Sequence, residues 1–295
     1  MSAIRKALGA LHLSSLLLGG TALFSKLIET SALEITLWRS IIAAVALLIL
    51  LVISRCRIRL GSYRDYGVIL LLGALLAVHW VTYFYSIQVS TVAIGIIALF
   101  SHPVISVLIE PLFAKQRPRF SDLLTAIWVL FGIGIMLPEL NFKSDVAQGV
   151  LWGIFSALLF SLRNIIYKRH FSHYNSSLAM MYQCLIVGMF LFPFSGSFIL
   201  SASNENYLLL LILGIIFTAS PHTLFAFSLR ALSVKTASLI MCLVPLYATI
   251  LAALILGEIP FLSTLVGGSM VMSGAIFESI MVSRREGIAD KLTSL

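Results

Sequence analysis

Residues 66–112 read YGVILLLGALLAVHWVTYFYSIQVSTVAIGIIALFSHPVISVLIEPL. Two apolar runs, 66–87 and 90–112, flank Gln88 and Val89. A helix needs about 20 apolar residues to cross the hydrocarbon of a bilayer, and each run is about that long. A barrel strand would alternate in polarity over about ten residues, and neither run alternates. The first run also carries His79, Thr82, Tyr83 and Ser86 at helical spacing, on one face. Polar groups in lipid are costly unless they are paired or face water, so this face points inward. The pair of runs predicts two membrane helices with a polar seam.

Eight more runs of the same kind surround this pair: 7–27, 31–53, 120–138, 147–167, 176–198, 207–229, 235–256 and 262–282. The totals agree with ten spans. Of the 295 residues, 60% are apolar and 11% charged, and mean hydropathy is +1.04. A soluble domain has about 45–50% apolar and 25% charged residues, so a soluble enzyme, a nucleic-acid-binding domain and a disordered chain are excluded. Cys56, Cys184 and Cys242 have no ligand spacing and no even count, so they suggest neither a zinc site nor a disulfide framework. No cofactor is expected. Arg5 and Lys6 precede the first run as in a signal peptide. That run is too long and lacks a clear small-x-small cleavage site, so it reads as a retained span.

The formal charge of +8 and pI of about 9.6 could suggest nucleic acid, but the basic residues fall between spans. One set of loops carries Arg5 and Lys6, Arg55 to Arg64, Lys115 to Arg119, Lys168 and Arg169, Arg230 and Lys235, and Arg284 to Lys291. The alternate set carries Glu29, Gln88, Glu139 with Lys143 and Asp145, Glu205 and Glu258. The positive-inside rule then places both termini in the cytoplasm.

Sliding the chain against itself by 142 residues aligns Pro103 with Pro245, Pro118 with Pro260, and Gly132 with Gly274. Ser14 falls on Ser156, Lys26 on Lys168, Ala77 on Ala219 and Ser86 on Ser228. Each half, 1–140 and 141–295, holds five spans, and the odd number inverts the second half. The expected fold is an all-α polytopic membrane protein with ten transmembrane helices in two five-helix inverted repeats. That architecture belongs to secondary transporters, with a site near the midplane between the halves.

These features resemble the drug/metabolite transporter superfamily, and within it the EamA-domain proteins. The likeness spans nearly the whole chain. It is densest at the small residues from Ala237, then Pro245, Gly257-Glu258, Pro260 and Gly274, with Pro103, Pro118 and Gly132 in the first half. Gln116 departs from the Glu frequent at that point. The resemblance implies a central cavity facing alternately inside and outside, lined by spans 1, 3, 4, 6, 8 and 9. It implies export of amino acids or related metabolites across a bacterial inner membrane.

The expected substrate-binding residues are His79, Trp80, Tyr83, His102, Trp152, Ser156, Arg163, His222, Phe225, Tyr247 and Arg39. His222 falls on Trp80 in the repeat frame. Arg39 lies about 12 Å into span 2 at 1.5 Å per residue, with Glu34 at an imperfect pairing spacing. Arg163 either lines the inner vestibule or snorkels. Either arginine suits a carboxylate, which its planar fork binds bidentately. Pro103, Pro221 and Pro245 are expected to kink their spans and to free the carbonyls of Leu99, Phe217 and Met241. No carboxylate is expected near the midplane, so the usual proton relay is missing. Transport is then passive, or a histidine carries the proton. The expected partners are a small-molecule substrate and the lipid bilayer, with no nucleic acid, and one chain suffices to enclose the cavity. A non-transporting membrane subunit or receptor is a second reading. An intramembrane enzyme is a third, and no catalytic or metal-ligand motif supports it.

Overall fold

A computed structural model describes residues 3–113, 119–136, 144–171, 173–228, 232 and 240–293. Pro118, Gln116, Lys115, Arg117, Glu139, Lys143, Arg230 and Lys235 lie outside these described residues. Among the described residues every regular element is helical. In chain order they are α1 (Ala3–Thr21), α2 (Phe24–Leu27), α3 (Ala32–Ile53), α4 (Tyr63–Val89), α5 (Val92–Leu99), α6 (His102–Phe113) and α7 (Phe120–Met136). The second half continues with α8 (Asp145–His170), α9 (Ser176–Leu191), α10 (Phe198–Ser201), α11 (Asn204–Gly214) and α12 (Ser220–Ser228). It ends with α13 (Val244–Ile255) and α14 (Leu262–Thr293).

The helix starts follow local chemistry. Four backbone N–H groups at each helix start lack intrahelical partners. The Ser31 hydroxyl accepts one from Glu34 at 3.2 Å, Ser144 accepts one from Ala147 at 3.3 Å, and Asn175 accepts those of Ser177 and Leu178. Ser62 and Asp65 form a reciprocal capping box at the start of α4.

Among the described residues, seven helical segments are long and apolar enough to cross a membrane: Ile4–Leu27, Ala32–Ile53, Tyr63–Val89, Val92–Pro111, Asp145–His170, Ser176–Phe194 and Asn204–Phe225. The three other expected spans correspond to shorter apolar helices, Phe120–Met136, Val244–Ile255 and Leu262–Glu278. The chain is a multi-pass membrane protein. Its outer surface fits that solvent: α7 alone exposes Ile127, Leu130 and Phe131 by more than 60% each. Such a face invites aggregation in water and is satisfied in lipid.

Two of the prolines act differently from expectation. Each was expected to kink a continuous helix, but Pro103 and Pro245 sit at the second position of a new one, while Pro221 lies inside the continuous segment Asn204–Phe225. α5 ends at Leu99, and Phe100-Ser101 breaks the span before α6 takes up Pro103. α13 begins at Val244 with Pro245. A π-helical turn, Ile215–Ala219, precedes α12 and Pro221. In a first turn the missing N–H has no partner to lose, so proline suits the start of a helix better than its interior.

Packing follows the repeat frame. α1 lies against α12 and α13, while α8, its repeat mate, lies against α4, α5 and α6. α3 packs on α9 and α7 on α14, each on its own repeat mate.

Candidate functional site

Two hydrogen bonds tie the halves together at the centre. The Ser14 hydroxyl on α1 donates to the Pro221 carbonyl on α12 at 2.8 Å. The Ser156 hydroxyl on α8 donates to the His79 carbonyl on α4 at 2.9 Å. Positions 14 and 156 are 142 residues apart, as are 79 and 221. Exchanging the halves therefore turns one bond into the other. A second pair repeats the relation: Ser161 donates to the His102 carbonyl at 2.9 Å. At its mate Gly19, an added Cβ would stand 3.0 Å from the carbonyl of Val244, the mate of His102. Backbone carbonyls near broken or proline-bearing helix turns need such partners in lipid. Phe217 O, freed by Pro221, accepts the Thr21 hydroxyl at 2.9 Å.

The expected site residues gather unevenly on this frame. His79 is buried, and its Nδ1 stands 2.7 Å from Ser156 Oγ and 3.0 Å from Ser156 O. Its ring stacks on Phe160 with centroids 4.8 Å apart and lies 6.4 Å from the Tyr83 ring. His102 meets the other side of this group, edge-on to Phe160 at 4.9 Å. Phe160 thus joins the two histidines. Nothing in the sequence set it apart, since one more phenylalanine in an apolar span carries no pattern. His222 and Phe225 are half-buried on α12. Tyr247 lies apart, its hydroxyl 3.2 Å from His12 Nδ1. Trp152 is 39% exposed and packs edge-on to Tyr85 and Phe155 on an exposed face.

The two arginines differ in one decisive respect. Arg163 Nε donates to Gln183 Oε1 at 2.8 Å and its Nη1 to Asn164 Oδ1 at 2.9 Å, with the guanidinium 5.1 Å from the Tyr167 ring. Arg39 is 3% exposed, and its Nε and Nη1 have no acceptor among the described residues. Its guanidinium carbon stands 4.1 Å from the Trp80 ring centroid and 4.9 Å from that of Phe84. The hydroxyl of Tyr83 is also buried without a partner. Glu34 does not serve Arg39: its carboxylate accepts Trp38 Nε1 at 2.7 Å and the Gly196 backbone N–H. A buried guanidinium without an acceptor costs several kcal/mol, and cation–π contact offsets only part of that.

The two ends of the molecule are unlike. At the end bearing Gln88, the Ser86 hydroxyl donates across the halves to the Gly149 carbonyl at 2.6 Å. Glu258 reaches from the second half to the Val92 N–H at the start of α5, 2.8 Å away. Gly257, with φ of +68°, turns the chain there at little steric cost. Lys26 donates to the carbonyls of Gln88 and Ser90, and Gln88 ties α4 to residues 25–32. At the opposite end, Ser228 is the mate of Ser86, but its hydroxyl donates to Phe225 O in its own helix. Basic residues cluster at that end: Lys168 lies 4.0 Å from Glu110, and Arg169 donates to Phe113 O. Sequence reading had placed Gln88 as a loop residue and Glu258 as a loop residue within the Gly257-Glu258 pair.

No group of three His, Cys, Asp or Glu residues among the described ones could hold a metal ion. The site is a seam between two related helical halves, bridged by direct bonds at its centre and at both ends. The long apolar helices around it define a multi-pass membrane protein. The profile of the EamA-like transporter family matches residues 5–137 and again 147–280. The chain belongs to that family, and it carries two copies of its repeat.

Its curated relatives are named as uncharacterized transporters. YxxF of Bacillus subtilis is 25% identical over 94% of this chain and 90% of its own length. A transporter of Archaeoglobus fulgidus is 24% identical over 90% of this chain and 94% of its own. A solved crystal structure, 17% identical, has the same fold with a TM-score of 0.61, covering 96% of this chain and 99% of that one.

Proposed function

We propose that the protein is a secondary transporter that exports a small polar metabolite, an amino acid or a related compound, by alternating access at the seam. The carrying observation is the inequality of two equivalent ends: Ser86 bonds across to Gly149, while Ser228 bonds within α12. A chain with two related halves has two ways to break its own symmetry, and each closes one end. The central bonds from Ser14 and Ser156 exchange under that operation and can persist through it.

On this reading ten helices cross the bilayer, the shorter three included, and the halves 1–140 and 141–295 are inverted. The Arg- and Lys-rich end, with both termini, faces the cytoplasm of a bacterial inner membrane, and the Gln88 end faces outward and is closed. One chain encloses the pathway. The substrate meets His79, Trp80, Tyr83, His102, Ser156, His222, Phe225 and Arg39, together with Phe160. Trp152, on an exposed face, and Tyr247, bonded to His12, are peripheral, and Arg163 holds α8 to α9.

The test needs no substrate. A single cysteine replaces Phe160 in a background without Cys56, Cys184 and Cys242. A membrane-impermeant thiol reagent is then added to spheroplasts and, separately, to inside-out vesicles. Alternating access predicts labelling from both faces. Labelling from neither face, or from one face only under all conditions, would contradict it.

A further inference from the structure

We infer that Arg39 is the counter-ion for the carboxylate of a net-anionic substrate with a flat apolar body, and that the site discriminates against substrates bearing an ammonium group. The inference rests on the transport reading above and narrows its substrate class to related carboxylates, away from zwitterionic amino acids. Of the two intramembrane arginines, Arg163 has fixed acceptors in Gln183 and Asn164. Arg39 is almost fully buried, yet Nε and Nη1 have no acceptor among the described residues. Nε and Nη1 lie on different edges of the guanidinium, each shared with Nη2, so either edge offers a carboxylate one of these unpartnered donors. Tyr83, on the same helix as Trp80 and Phe84, adds a third unpartnered donor.

The surroundings describe the rest of the ligand. Trp80 and Phe84 lie against the guanidinium carbon, and His79, Tyr83 and Phe160 continue an aromatic lining. An apolar ring fits that lining. An ammonium group finds no carboxylate there: Glu34, on the same helix as Arg39, is held by Trp38 and Gly196. Binding a monoanion would neutralise the buried cation, whereas a zwitterion would leave its own cation unmatched in low dielectric. A monoanion also needs no coupling ion to leave the cell. An inside-negative potential drives one negative charge outward by about fiftyfold per 100 mV.

Three compounds share one carbon skeleton and differ only in charge: 3-phenylpropanoate, phenylalanine and phenethylamine. Thermal stability of the full-length protein in detergent is measured against each, and against chloride alone, for wild type, Arg39→Gln and Arg39→Lys. The expected result is stabilisation of the wild type by 3-phenylpropanoate, well above that by the other two. Affinity should fall at least about tenfold in Arg39→Gln and recover in part in Arg39→Lys. Equal or tighter binding of phenylalanine or phenethylamine overturns the inference. So does undiminished binding by Arg39→Gln, a chloride effect that matches the organic anion, or no binding of any of the three. If Arg39→Gln does not fold, the three-compound comparison in the wild type alone decides. Cysteine labelling at position 160 is independent of all these outcomes, so the transport reading survives or fails separately.

Discussion

At the scale of single residues, Arg39 is where stability and function part company. Its guanidinium is buried against Trp80 and Phe84 with two nitrogens unpartnered. Removing a buried, uncompensated charge while keeping its stem is often neutral or stabilising by about 1–4 kcal/mol. Arg39→Met should therefore melt at or above the wild-type temperature in the absence of ligand, while losing carboxylate-induced stabilisation. A clear drop in melting temperature would mean the arginine is a structural cation–π post. Ser14 and Ser156 are the opposite kind of residue. Each completes a buried carbonyl across the halves, so Ser14→Ala should cost roughly 0.5–1.5 kcal/mol, read by reversible unfolding in detergent, and Ser156→Ala more, because it also removes the bond to His79 Nδ1. Ser14 and Ser156 were visible in the repeat frame as matched serines. Their acceptors, His79 and Pro221, occupy matched positions too, but unlike residues conceal a match that is made through backbone carbonyls. Phe160 gave no signal, because apolar residues in apolar spans carry information only through contacts.

At the scale of elements, the prolines and glycines set how the helices start and how near they come. Pro103 and Pro245 each stand in a first turn, where proline loses nothing. Pro103→Ala and Pro245→Ala should cost less than about 1 kcal/mol, against about 3 kcal/mol or more for relief or creation of an interior break. Sequence reading placed these prolines inside spans and did not show the helix breaks that precede them. Hydropathy runs unbroken through Phe100-Ser101 and Cys242-Leu243, and a helix that stops and restarts within one apolar run leaves no trace in composition. Close approach is equally local. A Cβ at Gly153 would stand 2.5 Å from Ala98 Cβ, so Gly153→Val should push α8 off α5 and lower the melting temperature and folded yield. Gly134, with nothing within 4 Å of such a Cβ, provides the tolerant control. Long spans were legible from apolar run length, while α13, at 12 residues, shows how a helix break shortens what hydropathy joins.

At the scale of the whole molecule, the chain is two related halves in an unsymmetrical arrangement. The repeat, the alternation of basic loops and the family likeness were all legible in the sequence, since they depend on period and charge alone. The asymmetry was not, because two equivalent sequences cannot say which of two equivalent ends is shut. Only a single matched bond shows it among the described residues: Ser86 bonds across to Gly149, while its mate Ser228 bonds to Phe225 within its own helix. The account's central claim is that these ends exchange. Two equivalent residue pairs report on it, Tyr85 with Leu151 at the Gln88 end, and Phe227 with Gly9 at the other, all four exposed enough to carry a spin label. Pulsed electron–electron distance measurements on the two doubly labelled proteins in liposomes test the claim directly. The account predicts two distances for each pair, with the short population at one end matching the long population at the other and both shifting together when ligand is added. A single unchanging distance at both ends would contradict it.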